Sequence, residues 1–353
     1  AALAAEGSGQ KNELDEVVVT AERRDTDAQK VPASVVAFSG ESLQERGITN
    51  LDTLQYQVPS VSFQDLGNVR FFNIRGIGIA EGAPNQSVGV ATHLDGTVIA
   101  REFNINDSFF DVSGVEVLRG PQGTYAGQNS SGGAVFITSV KPVIGKSGGF
   151  ATATLGSYDQ RKVGAGVDIP LSDSLAARVS GEFESRDSFT ENVGPAANNL
   201  PNGNPNQPGN LSRYLGRAQL LYAPSERVEA RLIWQFSDNR SDGLPLLPLN
   251  GRRFSPDNFA DPWTIAYDFP AQRNTKYDRV TATAKIAISE AVSLRIAETW
   301  QKLSQVYDSD NDYGSPIPTG AAQSAGRILI DDHYTTGEVT LLSTTDGPFQ
   351  WTT

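Results

Sequence analysis

VEVLRGPQGTYAGQNSSGGAVFITSVK, residues 115–141, decides how this chain is read. A short β-branched strand from Val115 to Leu118 breaks at Arg119-Gly120-Pro121. A glycine-rich loop follows, then a second strand from Ala134 to Val140. Gly127, Gly132 and Gly133 suit backbone positions needing positive φ, and Gly-Pro is strong turn punctuation. No GxxxxGK[ST] is present and a strand, not a helix, follows the glycines, which argues against a phosphate cradle. Alone, these residues fit a hairpin in any all-β domain.

Upstream, Val31 to Phe38 reads as a strand. Ser39 caps a helix over Gly40 to Arg46, with Glu41 or Ser42 in its first turn. Asn50 or Thr49 caps a second, Leu51 to Gln57, which ends before Pro59. Two glycine-punctuated segments follow, Phe72-Asn73-Ile74-Arg75-Gly76-Ile77-Gly78 and His93-Leu94-Asp95-Gly96-Thr97. Further back, Leu14 to Ala21 is an isolated valine-rich stretch between polar flanks. By itself it fits an edge strand of the next domain.

Together these segments resemble the plug domain of TonB-dependent outer-membrane receptors, nearly without a gap from Asp15 to Pro142. The family pattern VEVLRGPQGT is complete at Val115–Thr124, and Gly132-Gly133-Ala134-Val135-Phe136-Ile137-Thr138 continues it. Its usual LYG is Tyr125-Ala126-Gly127 here. The resemblance implies an α+β plug over 22–145 after a disordered start at 1–14. It also implies a TonB box at 15–21, in which Asp15, Glu16, Val17, Val18, Val19 and Thr20 bind the TonB C-terminal domain, with ExbB and ExbD behind it. Extended backbone with unpaired groups suits strand addition to a partner's sheet edge. Arg75 and Arg119, with Glu116, are implied to lock plug to barrel. Substrate contacts are expected in the plug loops, at Gln64, Asp65, Asn68, Glu81, Asn85 and Gln86.

From Gly149 the rhythm becomes two-residue alternation. Val163, Ala165, Val167 and Ile169 alternate with Lys162, Gly164, Gly166 and Asp168, and similar runs follow at 175–183, 228–237 and 280–288. A soluble sandwich alternates too. Tight turns at Pro170–Asp173, Pro224–Glu226 and Ser289–Ala291 alternate with long polar loops at Arg186–Ser212 and Ser237–Lys276, the asymmetry of outer-membrane barrels. Tyr214, Tyr222, Trp234, Phe236 and Tyr277 fall near strand ends, where aromatic girdles lie. Glu298 shares a face with Leu294 and Ile296, which predicts a bulge or a strand end there. The expected fold is a membrane all-β barrel around an N-terminal α+β plug. Residues 146–353 supply about eight strands and the start of a ninth, where a plugged barrel needs about 22. The chain is therefore expected to be the N-terminal part of a longer polypeptide.

Among 353 residues, 41 acidic and 29 basic side chains give a net charge of −12, which disfavours nucleic acid as a partner. No cysteine excludes a disulfide scaffold or thiol nucleophile, and no methionine suggests a processed start or a fragment. No catalytic constellation is apparent, and no cofactor or metal site is expected. His93 reads as a packed strand residue; Asp310, Asp312, Asp331 and Asp332 lack calcium-loop spacing. The resemblance thus implies TonB-dependent active transport across the bacterial outer membrane, with lipid and lipopolysaccharide around the barrel. A ferric siderophore is the first expectation for cargo, with oligosaccharide and cobalamin as alternatives. A passive porin or adhesin is the reading from another class.

Overall fold

The structure is a computed structural model. It describes residues 18–19, 26–27, 34–65, 70–78, 88–100, 109–127, 129–194, 206–245, 261, 263–267, 269–310, 325–345 and 349–353. Asp15, Glu16, Val17, Thr20, Asn68, Glu81, Asn85, Gln86 and Asp312 lie outside the described residues. Val18 and Val19 form β1 (Val18–Val19), which pairs with β2 (Thr26–Asp27).

The first compact unit is a five-stranded sheet in the order β3-β8-β9-β6-β7. Its strands are β3 (Ser34–Ser39), β6 (Val90–Leu94), β7 (Thr97–Val98), β8 (Val112–Arg119) and β9 (Gly133–Ser139). Ser39 Oγ accepts from Ser42 N and starts α1 (Gly40–Glu45). Asn50 and Thr53 form a reciprocal capping box on α2 (Leu51–Leu54), one turn shorter than its apolar pattern predicts. β4 (Val61–Asp65) and β5 (Arg70–Ile74) form a separate hairpin. Leu43, Leu51, Leu54, Phe72, Ile74, Val115, Val117 and Val135 close one core between these layers.

The stretch quoted first is the β8–β9 pair, with one helical turn, α3 (Gly123–Ala126), inside its loop. Gly120, Gly127 and Gly133 take positive φ, but Gly132 does not. Gly132 is required by packing: a Cβ there would lie 2.6 Å from the Ile77 carbonyl oxygen.

The second unit is one antiparallel sheet, β10-β11-β12-β14-β15-β17-β18-β19. Its strands are β10 (Gly148–Gly156), β11 (Gln160–Ser172), β12 (Leu175–Arg186), β14 (Leu211–Ser225), β15 (Val228–Ser241), β17 (Gln272–Ala287), β18 (Val292–Asp310) and β19 (Ala325–Ser343). Beyond β19, Trp351 and Thr353 hydrogen-bond back to Ser343 and Leu341. Two short pieces in the long connections, β13 (Glu191–Asn192) and β16 (Thr264–Ile265), pair in parallel.

The polarity of this sheet is inverted relative to a soluble sandwich. Val163, Val167, Val179, Leu220, Leu232 and Trp234 are on the exposed face, while Arg178, Arg217, Gln219, Arg231, Gln235 and Arg279 are buried on the other. An apolar outside and a polar inside suit a wall standing in lipid around a polar lumen. No described helix is long and apolar enough to cross a membrane.

Three expectations need correction. β18 runs unbroken, with Glu298 registered between Ala282 and Gly337 on the outer face and no bulge. The apolar band descends from β11 towards β19, from Val163 to Val339, so Glu298 sits at its upper border beside Trp300. The second long loop is shorter than its composition suggests, because Ser237–Ser241 and Arg273–Tyr277 stay paired. Tyr277 belongs to no girdle: it faces the lumen, 5% exposed, and receives a hydrogen bond from Gln235.

Candidate functional site

The geometry that matters lies where the plug meets the wall. β6 and β7 are joined by Asp95-Gly96, both with positive φ (51° and 87°), the type I′ turn that an Asp-Gly pair favours. The turn projects the Asp95 carboxylate to the end of the sheet, where Ser139 N (2.9 Å) and Ser139 Oγ (2.8 Å) donate to it. Arg231 of β15 approaches at 3.4 Å and also donates to Ser139 Oγ and to Gln219. Burial works to raise the Asp95 pKa, but Arg231, Arg217 and the Ser139 bonds outweigh it and hold the carboxyl below its ordinary value.

Asp111, just before β8, takes both prongs of Arg178 from β12, which also holds Asp168 of the wall. Arg217 of β14 donates to the Asp111 carbonyl at 2.8 Å and to Gln235, and lies over the Phe110 ring. Gln219 donates to the Val140 carbonyl at 2.9 Å. Arg279 of β17 donates to Thr97 Oγ1 at 2.7 Å, and Thr97 meets Thr299 of β18 at 2.8 Å. Higher up, Arg273 pairs with Asp65 of the plug hairpin at 2.7 Å. Lys141–Glu229 is short but exposed, so it adds little. Among the described residues, plug and wall are thus joined chiefly by charged and polar bonds, with a small apolar contact of Val88 on Tyr277, Leu303 and Ile330.

The seam therefore has carboxylates on the plug and guanidiniums on the wall. Arg75 and Arg119 sit elsewhere. Arg119 ends β8 at the opposite end from Asp111, and its Nε has no hydrogen-bond partner among the described residues. Arg75 lies over Gly120, where a Cβ would come within 3.2 Å of its Nη1. Glu116 is in the middle of β8, 8% exposed, registered beside Phe136, which stacks on His93 at 4.8 Å. Gln64 is exposed on β4, and Asp65 is engaged by Arg70 as well as Arg273. Asp331 and Asp332 point to opposite faces of β19, so they do not share a site. The wall arginines carried a readable signal, basic residues at the inward positions of four alternating strands. Asp95 and Asp111 carried none beyond the DG turn.

At the loop end, the connections 187–210 and 242–271 are tied together. Asn206, 1% exposed, brackets Ala271 by donating to its carbonyl (2.7 Å) and accepting from its amide (3.2 Å). Asn192 donates to the Asn206 carbonyl and accepts from Gly194 and Tyr267. Ile265, Tyr267 and Ala271 form a small core beneath.

A globular plug pinned by ion pairs against an outward-apolar, inward-polar β-wall defines a plugged outer-membrane barrel. Residues 27–134 match the TonB-dependent Receptor Plug Domain family, so this part of the chain is a plug domain of that kind. The chain is 30% identical over 178 residues to the pesticin receptor of Yersinia pestis, covering 49% of this chain and 26% of that protein. It is 30% identical over 166 residues to the ferrioxamine B receptor of Salmonella typhimurium, covering 45% and 23%. The structure resembles the ferric yersiniabactin uptake receptor FyuA from Yersinia pestis (TM-score 0.75, 18% identity, 89% of this chain and 46% of that one). It also resembles the siderophore receptor PiuA from Acinetobacter baumannii (TM-score 0.70, 15% identity, 90% and 44%). The chain thus spans under half the length of these relatives.

Proposed function

We propose that this chain is the plug and first part of the barrel of an active transporter that carries a ferric siderophore across the outer membrane. The carrying observation is the seam itself. Contacts that are mostly polar and charged can be exchanged for water when the plug moves, whereas a large apolar interface would resist that exchange. The names of the relatives, a ferrioxamine B receptor and an iron-regulated outer-membrane virulence protein of Vibrio cholerae among them, support an iron chelate as cargo.

In this reading residues 15–21 recruit the TonB C-terminal domain, 22–145 form the plug, and 146–353 form the first part of the barrel. Gln64, Asp65, Asn68, Glu81, Asn85 and Gln86 contribute contacts to the chelate. Arg75, Arg119 and Glu116 lock plug to barrel in addition to the bonds at Asp95 and Asp111. Val18→Pro in the complete protein tests the coupling, because proline removes an amide donor needed for strand addition. Binding of radiolabelled ferric chelates (ferrioxamine B and a catecholate as probes) should persist while uptake falls to background. Uptake at the unmodified rate would overturn coupled transport and favour a passive pore.

A further inference from the structure

Four arginines line the inner face of the wall within three consecutive cross-strand rows. Arg217 and Arg279 fall in a single cross-strand row, bridged by Gln235. Arg178 lies one inward position below on β12, and Arg231 two inward positions below Gln235 on β15. Over β11 to β19, the three consecutive inward rows that contain them include two carboxylates, Asp168 and Glu338. All four are at most 5% exposed. This cationic belt stands in a chain whose net charge is −12.

Among the described residues, the plug carboxylates bond to only two of the four. Asp95 and Asp111 meet Arg231 and Arg178. Arg217 is hydrogen-bonded by a backbone carbonyl and Gln235, and Arg279 by Thr97, Thr281 and Gln301, all neutral groups. Buried guanidiniums are ordinarily matched by carboxylates, because an uncompensated charge away from water is costly. The wall rows alone thus carry four guanidiniums against two carboxylates, and the balance becomes cationic when Asp95 and Asp111 leave with the plug.

We propose that this belt is an anion track, over which negatively charged groups of the cargo move once Asp95 and Asp111 withdraw. The plug carboxylates act as placeholders for that anion, so the closed state keeps the belt dry and occupied. Rows of Arg or Lys select anions in pores by the same electrostatics. The inference rests on the uptake reading for its cargo, but the belt's selectivity is measurable without any cargo.

The test uses the complete protein in planar lipid bilayers under a KCl gradient, with the plug reversibly unseated by urea. The unmodified channel should favour chloride over potassium. Arg217→Gln with Arg279→Gln should lower that permeability ratio roughly two-fold or more, whereas Arg279→Lys, which keeps the charge, should preserve it. Arg240→Gln, on the outer face, is the control and should change nothing. A ratio unmoved by the double substitution would overturn the track. A second readout does not depend on removing any arginine. The chain has no cysteine, so Thr281→Cys, buried beside the belt, can be labelled selectively. With the plug unseated, an anionic sulfonate thiol reagent should react several-fold faster than a cationic ammonium one. Equal rates, or no labelling at all, would also overturn it. Failure of chelate uptake with intact anion preference would instead count against the cargo reading alone.

Discussion

Arg178 grips Asp111 with two bonds, Nε to Oδ2 at 3.0 Å and Nη2 to Oδ1 at 2.8 Å, while its Nη1 stays on Asp168 at 2.6 Å. One guanidinium thus spans wall and plug, and the wall half of its bonding survives when the plug half is lost. Asp111→Ala should therefore leave the barrel intact and weaken plug docking by roughly 1.5–3 kcal/mol, the cost of losing charge-assisted bonds while Arg178 keeps Asp168. Hydrogen exchange at β8 and β9 reads it, and protection equal to that of the unmodified protein would exclude Asp111 as an anchor.

The depressed pKa of Asp95 gives the docking a defined acid limit. A carboxylate whose folded pKa is lowered stabilises above its unfolded value, about 3.9, and loses that contribution as pH falls through the folded one. Plug protection should be flat in Asp95's contribution between neutrality and pH ~5 and decline only below the ordinary aspartate range. Asp95→Asn should remove part of that acid-dependent decline. An Asn variant with the same acid profile would place the titration elsewhere.

The outer face makes its own demand. Leu232 lies in the middle of the apolar band on β15, 50% exposed. Leu232→Arg should cost about 2–4 kcal/mol in refolding into lipid, the midplane penalty for a charge. Glu298→Gln, at the border of the band, should cost far less. If both changes cost the same, the band is misplaced.

Asn206→Ala removes both bonds to Ala271, one of them leaving a buried group without its partner, and should destabilise the loop-end weld by about 1–3 kcal/mol. Exchange should rise together at 189–194 and 263–271 while β14 and β15 keep their protection. A rise in only one connection would mean that the two do not act as one body.

Much of the fold was legible because lipid and plug impose strict periodicities. Ser39 and Asn50 announced their helices through cap chemistry, and Val163 to Ile169 announced a wall strand through alternation. The ends of strands were less legible. Ser237–Ser241 read as loop because they are polar, yet a barrel strand rising out of the membrane keeps its ladder while its outer face turns hydrophilic. Glu298 misled for a related reason, since strand tilt moves the apolar band from one strand to the next and a single strand does not reveal the slope. The seam was the hardest to see. Arginine before glycine at Arg75 and Arg119 drew attention to one end of the sheet. The wall bonds of Asp95 and Asp111 depend on partners 67 to 136 positions away, which no local pattern encodes.

The unequal strand lengths shape the mouth of the wall. On β11 the chain rises from Val163 only to Gln160 before turning, about 10 Å along the strand. On β18 it continues from Trp300 to Asp310, roughly 33 Å at about 3.3 Å per residue. The rim along this arc is cut obliquely, low beside the β10–β11 hairpin and high above β18 and β19. Along the described strands, the wall thus offers a low sill on one side and a tall screen on the other.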